Sequence, residues 1–124
     1  MDSHLLLALF HIFAVVPLFL YVAISRANTV TAVYGFLLVL GVIITAYHAF
    51  KAWRRFLTGS SYLWVNLVHV FYVGPLLVYI GYRGKDTPRF AYELLALLGF
   101  AALGYHTYHL IVSTNVIMDE NKKN

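Results

Sequence analysis

The sequence predicts an all-α integral membrane protein with four transmembrane helices, arranged as two tandem-duplicated helical hairpins. Three observations carry that expectation. The 124 residues are 61% hydrophobic and 11% charged, whereas a soluble domain carries roughly 25% charged residues. Too little polar surface is present to face water. Four apolar runs follow one another, each close to the ~20 residues that a bilayer core requires. Residues 5–51 also align without a gap on residues 63–109 at a shift of 58 positions. Apolar identities come easily in such a chain. The pairs His11/His69, His48/His106, Pro17/Pro75 and Gly41/Gly99 in one register do not, and they point to a tandem duplication. Because each repeat is a hairpin, both copies share one orientation, which predicts a pseudo-two-fold axis along the membrane normal.

The elements follow in order. The first span runs from Leu5 to about Ser25, and Arg26-Ala27-Asn28-Thr29 makes a short turn. The second span runs from Val30 to about Ala52 and ends on the interface anchor Trp53-Arg54-Arg55. A linker over 52–62, with Thr-Gly-Ser-Ser inside it, separates the repeats. The third span runs from Tyr62 to Tyr82, and its exit Arg83-Gly84-Lys85-Asp86-Thr87-Pro88 sets Pro88 where a helix begins. The fourth starts near Arg89 and reaches about Ile111, with a polar, frayed tail over 118–124. One membrane domain over 1–124 is expected. None of the spans alternates polar with apolar, which argues for helices over a barrel. The N-terminal run resembles a secretory leader in length. It lacks the positive charge of one and has an internal counterpart at 63–83, so it is expected to stay.

Composition also excludes whole classes of function. The chain has no cysteine, which removes disulfides, thiolate metal sites and cysteine catalysis. A net charge of +4 sits in turns and tail, and no basic face interleaved with aromatics exists for nucleic acid. Ser3, Ser25, Ser60, Ser61 and Ser113 lie at span ends or in loops without a nucleophile elbow, so hydrolytic chemistry is not expected. The expected partners are the lipid bilayer and further copies of the chain or other membrane proteins. Lys51, Arg54, Arg55, Lys122 and Lys123 fall on the side of the termini, and Arg26, Arg83, Lys85 and Arg89 on the other. That small excess places both termini on the cytoplasmic side. The near balance is similar to that of small four-helix multidrug transporters of dual topology, although their carboxylate within the first helix is missing here.

The candidate site is a layer of histidines. His11 and His69 lie near the start of the odd spans, and His48 and His106 near the end of the even ones. At 1.5 Å per residue each sits roughly 6–9 Å below one membrane face. Tyr34, Gly41, His48 and Arg55 are spaced by seven residues, as are Tyr92, Gly99 and His106, so each set makes one helical stripe. The glycines leave room for close helix approach or a bulky ligand. Pro17 and Pro75 are expected to kink their helices beyond the histidines and free a carbonyl. Tyr47 and Tyr105 flank the layer. His109 stands one turn beyond His106, but repeat one has Lys51 at that place. Asn66 against Ala8 and Tyr72 against Ala14 depart in the same way, so the halves are expected to be partly specialised.

Three readings follow. Imidazole titrates near neutral pH, so proton or small-ion and solute passage through the His/Tyr layer comes first. The Tyr34–Gly41–His48 stripe would line the path, and an oligomer would be needed to enclose it. Glu93 lies within the fourth span and pairs with Arg89 by i,i+4 spacing. The second reading is bis-histidine haem b, with His11 and His69 or His48 and His106 as axial ligands and Lys51, Arg54 and Arg55 meeting propionates or headgroups. In this the chain resembles membrane b-type cytochromes in having four helices with paired histidines. A divalent metal such as zinc or copper on four imidazoles belongs to the same reading. The third is a structural or assembly role, with hydrogen-bonded histidines joining helices and the tyrosines and phenylalanines serving interfaces.

Overall fold

In a long apolar run the backbone groups are satisfied within the segment only by a helix. The computed structural model describes residues 3–123, and among these it is all-helical with no strand. Four helices are long and apolar enough to cross a membrane: α1, Ser3–Asn28; α2, Thr31–Thr58; α3, Leu63–Asp86; and α4, Arg89–Lys123. Their outward faces stay apolar. Phe13 is 75% exposed and Phe71 77% exposed, where a helix facing water would carry charge.

Two boundaries differ from the sequence expectation. The helix α2 passes through Trp53-Arg54-Arg55 and ends only at Thr58, where Gly59 at φ 66° caps it and the Ser60 N–H bonds back to the Arg55 carbonyl. The linker is therefore Gly59 to Tyr62, since no helix breaker precedes Gly59. The helix α4 likewise continues through the polar tail to Lys123. Nothing there breaks it, and Lys122 and Lys123 in its last turn favour the negative end of the helix dipole.

Neither α1 nor α3 is regular. Each widens into a π turn, over His11–Val15 and His69–Val73, and closes with a 3-10 turn, over Arg26–Asn28 and Gly84–Asp86. Both π turns begin on a histidine and end two residues before a proline. The N–H of Val16 reaches the His11 carbonyl, and that of Gly74 reaches the His69 carbonyl, five residues back in each case. Proline has no N–H, and its ring collides with the carbonyl four residues earlier in a regular helix. Widening the turn relieves that collision. The sequence places a kink beyond the histidines, whereas the distortion sits on them. Pro17→Ala and Pro75→Ala restore a donor, and each is expected to raise the thermal midpoint in detergent. A fall would mean that packing, and not proline, maintains the π turn.

The chain divides into two compact units, one of the residues up to Ile24 with those from Glu93 onward, the other of Ser25–Tyr92. In the first, α1 meets α4: the Gly99 Cα faces Phe19 and Leu20, and His11 faces His106. In the second, α2 meets α3 through Leu38 and Gly81, Thr45 and Gly74, and His48 and His69. In both, the numbers rise along one helix as they fall along the other, so each unit holds an antiparallel pair. Each pairs one helix from residues 5–51 with one from residues 63–109.

Candidate functional site: two stacked imidazole pairs

Within the unit of α2 and α3, Tyr34, Gly41, His48 and Arg55 all meet α3 or the turn that leads into it. A Cβ on Gly41 would lie 2.8 Å from the Val78 nitrogen and 3.0 Å from the Gly74 carbonyl oxygen. The stripe is thus a packed seam. It makes no open wall along this unit, which corrects the expectation of a lined path. On the other side, a Cβ on Gly99 would lie 3.1 Å from Leu20 Cδ2. Both glycines bring helices together and leave no slot for a bulky ligand there.

The histidines stand as two stacked pairs. His48 and His69 have ring centroids 4.0 Å apart with planes inclined by 17°. His11 and His106 are 4.2 Å apart at 22°. The pairs correspond at the 58-residue shift, and all four rings are partly buried. The ring on α1 and the ring on α3 are each pinned from behind. His69 Nδ1 lies 2.6 Å from the Val65 carbonyl and His11 Nδ1 2.8 Å from the Leu7 carbonyl. A carbonyl only accepts, so Nδ1 is the donor in both.

His48 has a different support. Asn66, 1% exposed, sets its Nδ2 2.8 Å from His48 Nδ1, and Arg55 Nη1 donates to Asn66 Oδ1 at 2.6 Å. Arg55 also donates to the Tyr62 carbonyl at 3.2 Å. Arg55, expected as a propionate or headgroup contact, thus turns inward onto α3. Lys51 and Arg54 lie over the rings of Tyr47 and Phe50. Tyr47 and Tyr105 meet the neighbouring His48 and His106 edge to face, and His109 contacts Tyr105 at 4.5 Å. Glu93 is exposed.

The opposite end of the α2–α3 unit closes on tyrosines. Tyr34 and Tyr92, 4% and 2% exposed, bring their hydroxyls within 2.8 Å of each other. Tyr34 donates to the Arg26 carbonyl at 2.6 Å, and Tyr92 to the Gly84 carbonyl at 3.3 Å. Arg26 and Gly84 are themselves 58 apart, and both take positive φ, 50° and 56°. Glycine adopts positive φ freely, while a residue with a side chain does so at roughly 1–3 kcal/mol.

The stacked pairs, His11 with His106 and His48 with His69, are not the axial pairs expected from the sequence, and as stacked neither fits haem ligation. Two axial imidazoles lie on opposite faces of one iron, nitrogens pointing at each other, with the macrocycle between them. Rings face to face at 4.0–4.2 Å leave no such gap. Among the described residues no group of three His, Asp or Glu side chains converges as a metal site. The sequence missed Asn66 as a partner, although its mismatch with Ala8 was the visible signal, and it missed Gly74 and Gly81. Set against family models, curated proteins and solved structures, the chain matches none.

Proposed function

We propose that the chain is a multi-pass membrane protein, grown by duplication of a hairpin, which passes protons through its paired imidazoles. The observation that carries this is the recurrence of one stacked His–His pair in each unit, inside helices apolar enough to cross a membrane. Ionisable side chains are expensive at such depth and by default mark a pathway or relay. Imidazole changes charge near neutral pH. The π turns beginning on His11 and His69 support the same reading, because such turns concentrate at functional sites. A proton is favoured over a hydrated ion because the Gly41 seam is packed. Protons hop between fixed nitrogens and hydroxyls, and hydrated ions need an open bore.

The test is a pH gradient across liposomes loaded with a pH-sensitive dye. His48→Ala and His106→Ala together are expected to slow dissipation roughly tenfold or more, a modest share of what positioned acid–base groups contribute. Dissipation at the wild-type rate in the double variant would end the proposal. An absorption spectrum of the purified protein belongs beside it. A haem band that shifts on reduction would replace proton passage with electron transfer.

A further inference from the structure

The two histidine pairs look alike in their stacking and differ in what stands behind one ring. Arg55 has only donors, and it donates to Asn66 Oδ1 at 2.6 Å. That contact decides which end of the amide is which. The other end, Nδ2, has only hydrogens to offer, and it lies 2.8 Å from His48 Nδ1. His48 Nδ1 is therefore the acceptor, and the neutral ring carries its proton on Nε2. Its stacking partner has the opposite arrangement, because His69 Nδ1 donates to the Val65 carbonyl at 2.6 Å.

We infer that Asn66, oriented by Arg55, is a positioning residue that holds His48 as the Nε2–H tautomer opposite an Nδ1–H tautomer of His69. One ring of the pair then offers an N–H at Nε2 and the other an acceptor nitrogen, so the pair is polarised. Asn66 is suited to the task because it is 1% exposed. With no water to satisfy it, its amide keeps the orientation that Arg55 imposes. The same device cannot be built in the other unit. Ala8 stands 58 residues before Asn66 and Ser113 stands 58 after Arg55, and alanine has no hydrogen-bonding side chain. The halves share a shape and differ in how one proton is placed. This inference does not depend on proton passage, since it concerns the location of a proton at rest.

The experiment is nitrogen NMR on the full chain in lipid or detergent, with both histidine ring nitrogens labelled. A protonated and a bare ring nitrogen are well separated in shift, and His48→Gln assigns the resonances by their loss. In the wild type His48 is expected to show a protonated Nε2 and a bare Nδ1. Asn66→Asp replaces the donor by a carboxylate that only accepts, so the proton is expected to move to Nδ1. Asn66→Leu is expected to leave both tautomers populated. A wild-type His48 with its proton on Nδ1 overturns the inference, whether or not the variants fold. So does an Asn66→Asp protein in which Nδ1 stays bare. A purely structural role for Asn66 would change stability and leave the tautomer where it was.

Discussion

Gly81→Ala is expected to be among the most damaging single substitutions in the chain. A Cβ there would lie 2.5 Å from the Leu38 nitrogen, 2.7 Å from the Tyr34 carbonyl oxygen and 2.8 Å from the Leu38 Cα. All three are backbone atoms of α2, so no side chain can rotate away, and the helices have to separate. Overpacking of this kind costs about 1–3 kcal/mol. At roughly 2–8 °C per kcal/mol, the range for domains somewhat shorter and longer than this chain, the thermal midpoint should fall measurably. Gly35→Ala is the control, because nothing lies within 4 Å of its added Cβ. In a helix interior it should be neutral or gain roughly 0.5–1 kcal/mol. If the two variants melted together, the close approach of α2 and α3 at Gly81 would be wrong.

The tyrosine pair supplies the second large effect, and here the signature is non-additivity. Two hydroxyl protons serve three contacts: one between Tyr34 and Tyr92, one to the Arg26 carbonyl and one to the Gly84 carbonyl. Either single change to phenylalanine removes the shared contact together with one carbonyl contact, at about 0.5–1.5 kcal/mol for each hydrogen bond lost, while the Arg26 carbonyl keeps the Thr29 N–H and the Gly84 carbonyl keeps the Thr87 hydroxyl. Changing both removes both hydroxyls from an apolar setting, so the double variant is expected to lose less than the sum, with a coupling of about 0.5–3 kcal/mol. Additive losses in thermal or denaturant unfolding would show that the hydroxyls do not interact. The proton-passage proposal adds a further outcome. This pair lies at the far end of the α2–α3 unit from His48 and His69, so the double variant should alter the rate of gradient dissipation in liposomes even where its stability recovers.

Much of the fold was legible because it is written in local pattern. Helices follow from the apolar runs, and their number from the polar breaks between them. The seven-residue stripe Tyr34–Gly41–His48–Arg55 marks one face of α2, which the sequence reads as the lining of a path and which meets α3. What was not legible is long-range. Gly74 and Gly81 correspond to Val16 and Ala23 at the 58-residue shift, so aligning the two stretches discards them, although each lies where the helices approach closely. Arg55 reads as an interface anchor from its neighbours Trp53 and Arg54. Only the position of Asn66 on the opposing helix draws it inward. Pro17 and Pro75 announce a distortion, yet its form as a π turn on the histidine depends on which carbonyl the chain abandons. The stacking of His11 on His106 and of His48 on His69 is a fact about partners, and spacing within one helix does not reveal partners.

Each stacked pair takes one histidine from residues 5–51 and the other from residues 63–109. A polypeptide holding only one such stretch would have a histidine near each end of its hairpin and no way to bring them together as these pairs are. Two copies would have to associate to build either pair, and doing so would build both at once. A hairpin of that kind would therefore hold such a pair only as a dimer. In a dimer of identical hairpins every change appears twice, whereas this single chain carries asparagine at 66 and alanine at 8.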